Sequence, residues 1–205
     1  MERMIEYLMQ QYQPLAILTY GSYADGSNND NSDYDALVIT ANHQKFHDTS
    51  VVYGTQLDVF VYPLRFFEEA YDCESFVQLF DSKIVMDTDG CAAKVKSNVV
   101  RYIDSMPKKT RTELADELAW CRKMLLRAKR QDAEGMYRLH WLLIDSLEIF
   151  CDIVGHPYFG PKKSLRWMEL QYPNAFSFYE KALSDHRQPT CEKWIDCMEN
   201  CLRGD

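Results

Sequence analysis

The chain has 205 residues, 46% of them apolar, which is ordinary for a sequence that buries a core and excludes a disordered tail or a fibrous repeat. Lysine and arginine number 23 against 31 aspartates and glutamates, for a net charge of −8, and no basic block is longer than two residues. Nonspecific nucleic-acid affinity comes mostly from neutralised phosphates, so this balance argues against a template-dependent polymerase or any extended nucleic-acid binder.

Met4, Ile5, Leu8, Met9 and Tyr12 recur at helical spacing and predict a helix over residues 2 to 12. An apolar, β-prone run from Leu15 to Tyr20 then leads into Gly21-Ser22. A polar turn region follows, ending at a second run, Ala36 to Thr40, entered through Asp33-Tyr34-Asp35. The pattern reads as strand, phosphate-binding turn, strand. A glycine at a strand end lets backbone amides approach phosphate oxygens, and a helix beginning at Ser22 would aim its N-terminal dipole at the anion. In an extended chain Asp33 and Asp35 project to the same face, where two like charges repel unless a cation or a proton lies between them.

His43 to Thr49 is polar and reads as a connection. Ser50 to Tyr53 and Gln56 to Tyr62 form a hairpin pattern about Gly54-Thr55. Asp58 sits inside the second, strongly apolar run, so burying it requires either a partner or a metal. Pro63 opens a helical stretch reaching Asp72, Glu74 to Phe80 gives a short helix, and Lys83 to Met86 an edge strand. A helix is expected over Asp87 to Met106. Pro107 and Lys108-Lys109 break it, which sets domains at 1–107 and 108–205.

The second half reads as helices. Thr110 to Glu113 is a capping-box pattern, and Leu114, Leu118, Cys121, Leu125 and Ala128 mark one long helix to about Arg130. Asp132 starts another, with Met136, Leu139, Leu143, Ile144, Leu147 and Phe150 on its apolar face, ending near Gly155. Shorter helices follow a turn-rich break, at 161–171, 174–184 and 190–202. His140, beside Trp141, reads as a packed histidine, and Lys162-Lys163 either meets phosphate or caps a loop. The seven cysteines are scattered; the gaps among His186, Cys191, Cys197 and Cys201 do not match a zinc finger, and these thiols read as buried in a helix. No apolar run approaches the roughly 20 residues that cross a bilayer. With no signal peptide visible, the expected compartment is the cytoplasm.

Gly21-Ser22, Gly26 four residues after Ser22, and Ser32-Asp33-Tyr34-Asp35 resemble the GSxxxG and DxD signature of the DNA-polymerase-β-type nucleotidyltransferase superfamily. The resemblance covers roughly the first half of the chain. A short first half followed by helices is similar to the kanamycin-type aminoglycoside nucleotidyltransferases and to the minimal nucleotidyltransferases of toxin–antitoxin pairs. It implies an α+β fold, with an N-terminal nucleotidyltransferase domain, a mixed β-sheet flanked by helices, and then a C-terminal helical bundle. It further implies Asp33, Asp35 and Asp58 as ligands of two Mg2+ ions, and Gly21 and Ser22 as contacts to an NTP, taken as ATP. A helical glutamate acts as general base in kanamycin-type relatives. Glu117 is the candidate here, with Asp145 and Glu148 as rivals, though the spacing does not line up cleanly with that pattern. The implied reaction moves AMP to a hydroxyl of a small acceptor, such as an aminoglycoside-like antibiotic. Two alternatives stand beside it: an antitoxin-type enzyme modifying a protein or RNA partner, and a catalytically silent nucleotide-binding regulator. A homodimer or a small helical protein partner would fit this layout.

Overall fold

The computed structural model describes residues 2–130 and 132–204. The chain divides into two units, Met1–Met106 and Pro107–Asp205. The first is built on a mixed sheet and the second on helices alone among the described residues, so the fold is α+β.

The first unit opens with α1 (Glu2–Tyr12), whose Met4, Leu8 and Tyr12 are buried. The strands are β1 (Ala16–Thr19), β2 (Tyr34–Thr40), β3 (Phe46–Asp48), β4 (Val51–Val52), β5 (Thr55–Pro63) and β6 (Lys83–Asp87). They run in the order β3-β5-β2-β1-β6, with β4 paired to β5. The β2–β5 pair is parallel and the other pairs are antiparallel. α1 packs its apolar face against Tyr34, Ala36 and Val38 of β2 and Leu57, Val59 and Val61 of β5. Side chains alternate across a strand, so the intervening residues, Asp35 and Asp58 among them, belong to the face turned away from α1.

Four local expectations are corrected. Residues 43–49 are not merely a connection, because Phe46–Asp48 forms the edge strand β3, antiparallel to β5. Its sequence lacks an apolar alternation; it is held by backbone pairing, by Phe46 against the Tyr12 ring at 5.6 Å, and by the Tyr12 hydroxyl donating to Asp48. The hairpin turns at Tyr53-Gly54, both with positive φ (51° and 83°), and Thr55 already belongs to β5. Two left-handed residues match the right-handed twist of the flanking strands. After β6 the helix α4 spans Cys91–Asp104, starting later than expected. Asp87 stays in β6 and its carboxylate accepts from the Ala92 and Ala93 amides, satisfying the helix start from outside it. α2 (Gly21–Asp25), α3 (Leu64–Glu68) and a short 3-10 turn over Glu74–Leu79 complete the unit. α3 falls short of Asp72, with Pro63 as its extended N-cap.

The second unit contains α5 (Arg111–Ala128), α6 (Ala133–Ile153), α7 (Pro161–Gln171), α8 (Pro173–Asp185) and α9 (Gln188–Arg203). Thr110 and Glu113 form the full capping box at the start of α5. Cys121, Leu142, Phe150, Trp194 and Ile195 are fully buried in its core. Within it the Trp194 indole donates to Ser146 Oγ at 2.9 Å and the Tyr179 hydroxyl donates to the Leu143 carbonyl at 2.6 Å. His140 departs from its expected packing: it is exposed, with Nδ1 2.9 Å from the Met136 carbonyl one turn back. Among the described residues no helix is long and apolar enough to cross a membrane.

Candidate active site

β1 ends at Thr19, and the chain turns through Tyr20 and Gly21 into the five-residue helix α2. Gly21 has φ +64° and a Cβ built on it would overlap Asp35 Oδ2, so both the backbone and the neighbouring carboxylate demand glycine here. The Tyr20 amide donates to the Asp35 carbonyl at 3.1 Å, tying the turn to β2. Ser22 is buried, and Gly26 ends α2 with φ +78° and its amide on the Ser22 carbonyl. The first-turn amides of a helix lack intrahelical acceptors, the arrangement that suits an anion.

Asp35 and Asp58 are register partners on the parallel strands β2 and β5. Neighbouring strands lie about 4.8 Å apart, which brings the two carboxylates side by side on one face. Tyr34 points the other way; it is fully buried, with its hydroxyl 2.9 Å from Thr19 Oγ1. Asp33 is exposed and precedes β2. Asp58 bonds His47 Nε2 at 2.5 Å, and the His47 ring stacks on Phe60 at 4.0 Å and 3°. The expectation that Asp58 needs a partner or a metal is thus met by a partner. Tyr20 is buried beside the pair, and its hydroxyl is held well above the usual tyrosine range by burial first, then by the charges of Asp58 and Asp35. It stays a neutral hydroxyl.

Among the described residues no group of three or more His, Cys, Asp or Glu side chains is gathered as a metal site. Asp33, Asp35 and Asp58 therefore do not close into a three-carboxylate cluster as they stand: Asp33 lies ahead of the strand, and one oxygen of Asp58 is taken by His47. The donor set still fits a hard divalent cation, because Asp35 and Asp58 offer oxygen ligands from two adjacent strands beside a glycine cradle that a Cβ would fill.

Glu117, Asp145 and Glu148 belong to the second unit, where all three line one cleft between α5 and α6. Glu117 is ion-paired with Lys109. Arg122, further along α5, pairs with Asp196 and Glu199 of α9 and is committed to packing these helices. Lys163 reaches over the Phe159 ring, 5.8 Å from its centroid. Tyr20 and His47, which the sequence does not single out, also border the two aspartates. The demand of Asp58 for a partner could have pointed to His43 or His47, the two histidines of the first unit.

A strand, a glycine turn into a short helix, and carboxylates on two adjacent strands of a mixed sheet are the arrangement expected of a nucleotidyltransferase-type domain. Residues 2–78 match the family described as Polymerase beta, Nucleotidyltransferase, which supports a nucleotidyltransferase-type domain in the first unit. A solved structure described as a nucleotidyltransferase-like protein from Exiguobacterium sibiricum 255-15 is loosely similar, at 15% identity and a TM-score of 0.35, over 98% of this chain and 72% of that one. No curated protein matches the sequence.

Proposed function

We propose that the chain is a metal-dependent nucleotidyltransferase that moves a nucleoside monophosphate, AMP from ATP, to a hydroxyl of a small-molecule acceptor. The observation that carries this reading is the register of Asp35 with Asp58 beside the Gly21 turn. Asp35 and Asp58, with Asp33 next to them, would hold divalent ions, Mg2+ with the NTP, and such ions polarise the α-phosphorus and neutralise the triphosphate. Gly21 and Ser22 offer the triphosphate backbone amides and a hydroxyl. Tyr20, kept protonated by its surroundings, is a neutral donor beside the carboxylates. The acceptor oxygen forms a bond to the α-phosphorus as the bond to the β-phosphate oxygen breaks, pyrophosphate leaves, and the hydroxyl proton needs a base. Glu117 is the candidate base.

The test is pyrophosphate release from each of the four NTPs with Mg2+, across a panel of hydroxyl acceptors that starts with aminoglycoside-like antibiotics. ATP-dependent release that falls to background in Asp35→Asn and is strongly reduced in Glu117→Gln is expected. Release from no NTP with any acceptor, together with NTP binding that Asp35→Asn leaves intact, would make the domain a silent nucleotide binder and overturn the proposal.

A further inference from the structure

Cys197 and Cys201, four residues apart on α9, depart from the expectation of thiols buried in a helix. Cys191 meets that expectation, being fully buried, but these two are only half-buried and line a cavity of about 670 Å3 within the second unit. The same cavity is lined by Tyr172 and, from α8, by Pro173, Ala175 and Phe178. Phe178 is 40% exposed, so helix packing leaves part of its ring free. The remaining thiols offer no second pair of this kind: Cys91, Cys121 and Cys151 are buried, and Cys73 belongs to the first unit.

The spacing decides what the pair can hold. Residues four apart on a helix keep their Cβ atoms about 5–6 Å apart. A disulfide needs about 3.5–4.5 Å between Cβ atoms. A direct S–S bond would therefore require the helix to distort, while one atom inserted between the sulfurs relieves the mismatch. Among the described residues no three His, Cys, Asp or Glu side chains gather as a metal site, so the two sulfurs lack the further protein donors of a structural zinc ion. The pair suits an element that is satisfied by two sulfurs because it brings its third substituent with it. Trivalent arsenic carrying one organic group is such an element, and the cavity beside the sulfurs offers that group space and aromatic surface. The Cys197 thiol is pushed up to about 11, by burial first and then by Cys201, so it stays protonated and attacks disulfides poorly. An arsenic–hydroxyl bond, in contrast, exchanges with a neutral thiol, because the thiol proton leaves as part of water.

We propose that Cys197 and Cys201 form a chelating site for a monosubstituted trivalent organoarsenical, whose organic group lies in the cavity against Phe178. Each As–S bond forms as an As–OH bond breaks, and each thiol proton leaves with the departing hydroxide. An organic arsenic dihydroxide and two thiols thus give a cyclic dithioarsenite and two waters, with no change of oxidation state. The site lies wholly in the second unit and goes beyond the nucleotidyl-transfer reading, which its failure would leave standing.

The experiment treats the full chain, reduced with a phosphine, with one equivalent of phenylarsonous acid and follows its intact mass. One phenylarsenic group gained for two hydrogens lost is expected, with two fewer titratable thiols than the seven of the free chain. Tryptic cleavage after Lys193 and Arg203 puts both cysteines on one peptide, residues 194–203, which should carry the adduct. The dithiol 2,3-dimercaptopropanol should remove it, and a monothiol at equal thiol concentration should not. Cys197→Ser and Cys201→Ser should each lose the adduct, while Cys73→Ser keeps it. Phe178→Ala should weaken retention of the phenyl adduct about two- to tenfold and leave that of methylarsonous acid unchanged. If a serine variant fails to fold, the peptide that carries the adduct in the wild type decides. The proposal is overturned by the absence of an adduct, by an adduct on another peptide, by its survival in either serine variant, or by its removal with monothiol as readily as with dithiol. Equal retention of the phenyl adduct in Phe178→Ala would remove the organic group from the cavity and overturn the proposal as well.

Discussion

Gly21→Ala isolates the contact on which the candidate active site turns. At φ +64° any residue with a Cβ is strained, at a cost of about 1–2 kcal/mol. Gly54 and Gly90 share this conformation, at φ +83° and +73°, but a Cβ on either meets nothing within 4 Å. Alanine at those positions should cost the backbone strain and no more. At Gly21 the new methyl also overlaps Asp35 Oδ2 and lies 2.9 Å from Asp35 Cγ, so the carboxylate must leave its rotamer. That adds about 0.5–1.5 kcal/mol. Calorimetric unfolding of the three alanine variants should therefore show Gly21→Ala less stable than its controls by that excess, roughly 2–12 °C in the first unit's transition. Repeating the substitution in an Asp35→Ala background supplies the decisive leg. Only the Asp35 Cβ then remains, 3.4 Å from the added methyl, and the excess should vanish as a coupling energy. An excess that survives removal of the Asp35 carboxylate, or no excess at all, refutes the packing of the turn against Asp35. The same variant should lose the thermal shift given by an NTP with Mg2+, while Gly54→Ala and Gly90→Ala keep it.

Burial by itself raises the Asp48 carboxyl, but hydrogen bonds from Tyr12 and Ser50 hold it below its ordinary 3.8. Its stabilisation is therefore full above that value and is lost as pH falls further, so Asp48→Asn should flatten the acid limb of a melting-temperature profile below about pH 4; superimposable limbs would contradict it. His156, stacked on Trp167 at 3.7 Å, is lowered by burial and held neutral. Its stabilisation is present above about 6.5 and lost as pH falls through the depressed value, so the urea midpoint of the second unit should drop below that pH and drop less in His156→Phe. Trp194→Phe removes the indole donor from the buried Ser146 hydroxyl and should cost about 1–3 kcal/mol by urea unfolding. Part of that loss should return in the double variant with Ser146→Ala, and additive costs would show that the bond is not what matters.

The legible part of the first unit was local. Gly21, Ser22, Asp33 and Asp35 lie within one short stretch, where a glycine at a strand end and aspartates at the mouth of the next strand announce a turn and its charge without help from the rest of the fold. The helices of the second unit were legible for a similar reason, since the Thr110–Glu113 box and the apolar face of α6 are written at helical spacing. What escaped was held by pairing across the sheet. β3 is three residues at an edge, and its stability comes from β5 and Tyr12 rather than from its own composition. His47 could not be seen as a site residue until β3 existed to carry it opposite Phe60. Glu117, Asp145 and Glu148 stand far apart or on different helices along the sequence, yet helix packing makes them neighbours in one cleft.

Asp58 shows why the missed strand matters to the chemistry. An aspartate within a run as apolar as Leu57 to Tyr62 had to be satisfied by a partner or by a metal, and His47 now supplies a partner. The two readings do not compete on equal footing, because the side chains of His47 and Asp58 are 40% and 39% exposed. A hydrogen-bonded pair open to solvent to that extent is worth at most about 1 kcal/mol. The position of Asp58, by contrast, is fixed by backbone register to Asp35 and by the buried neighbours Leu57 and Val59, whose burial dominates the strand's energetics. Removing His47 should thus leave the carboxylate where it is and change only its orientation. The bond to His47 aims Asp58 at little cost, while the sheet, and not the histidine, sets it beside Asp35.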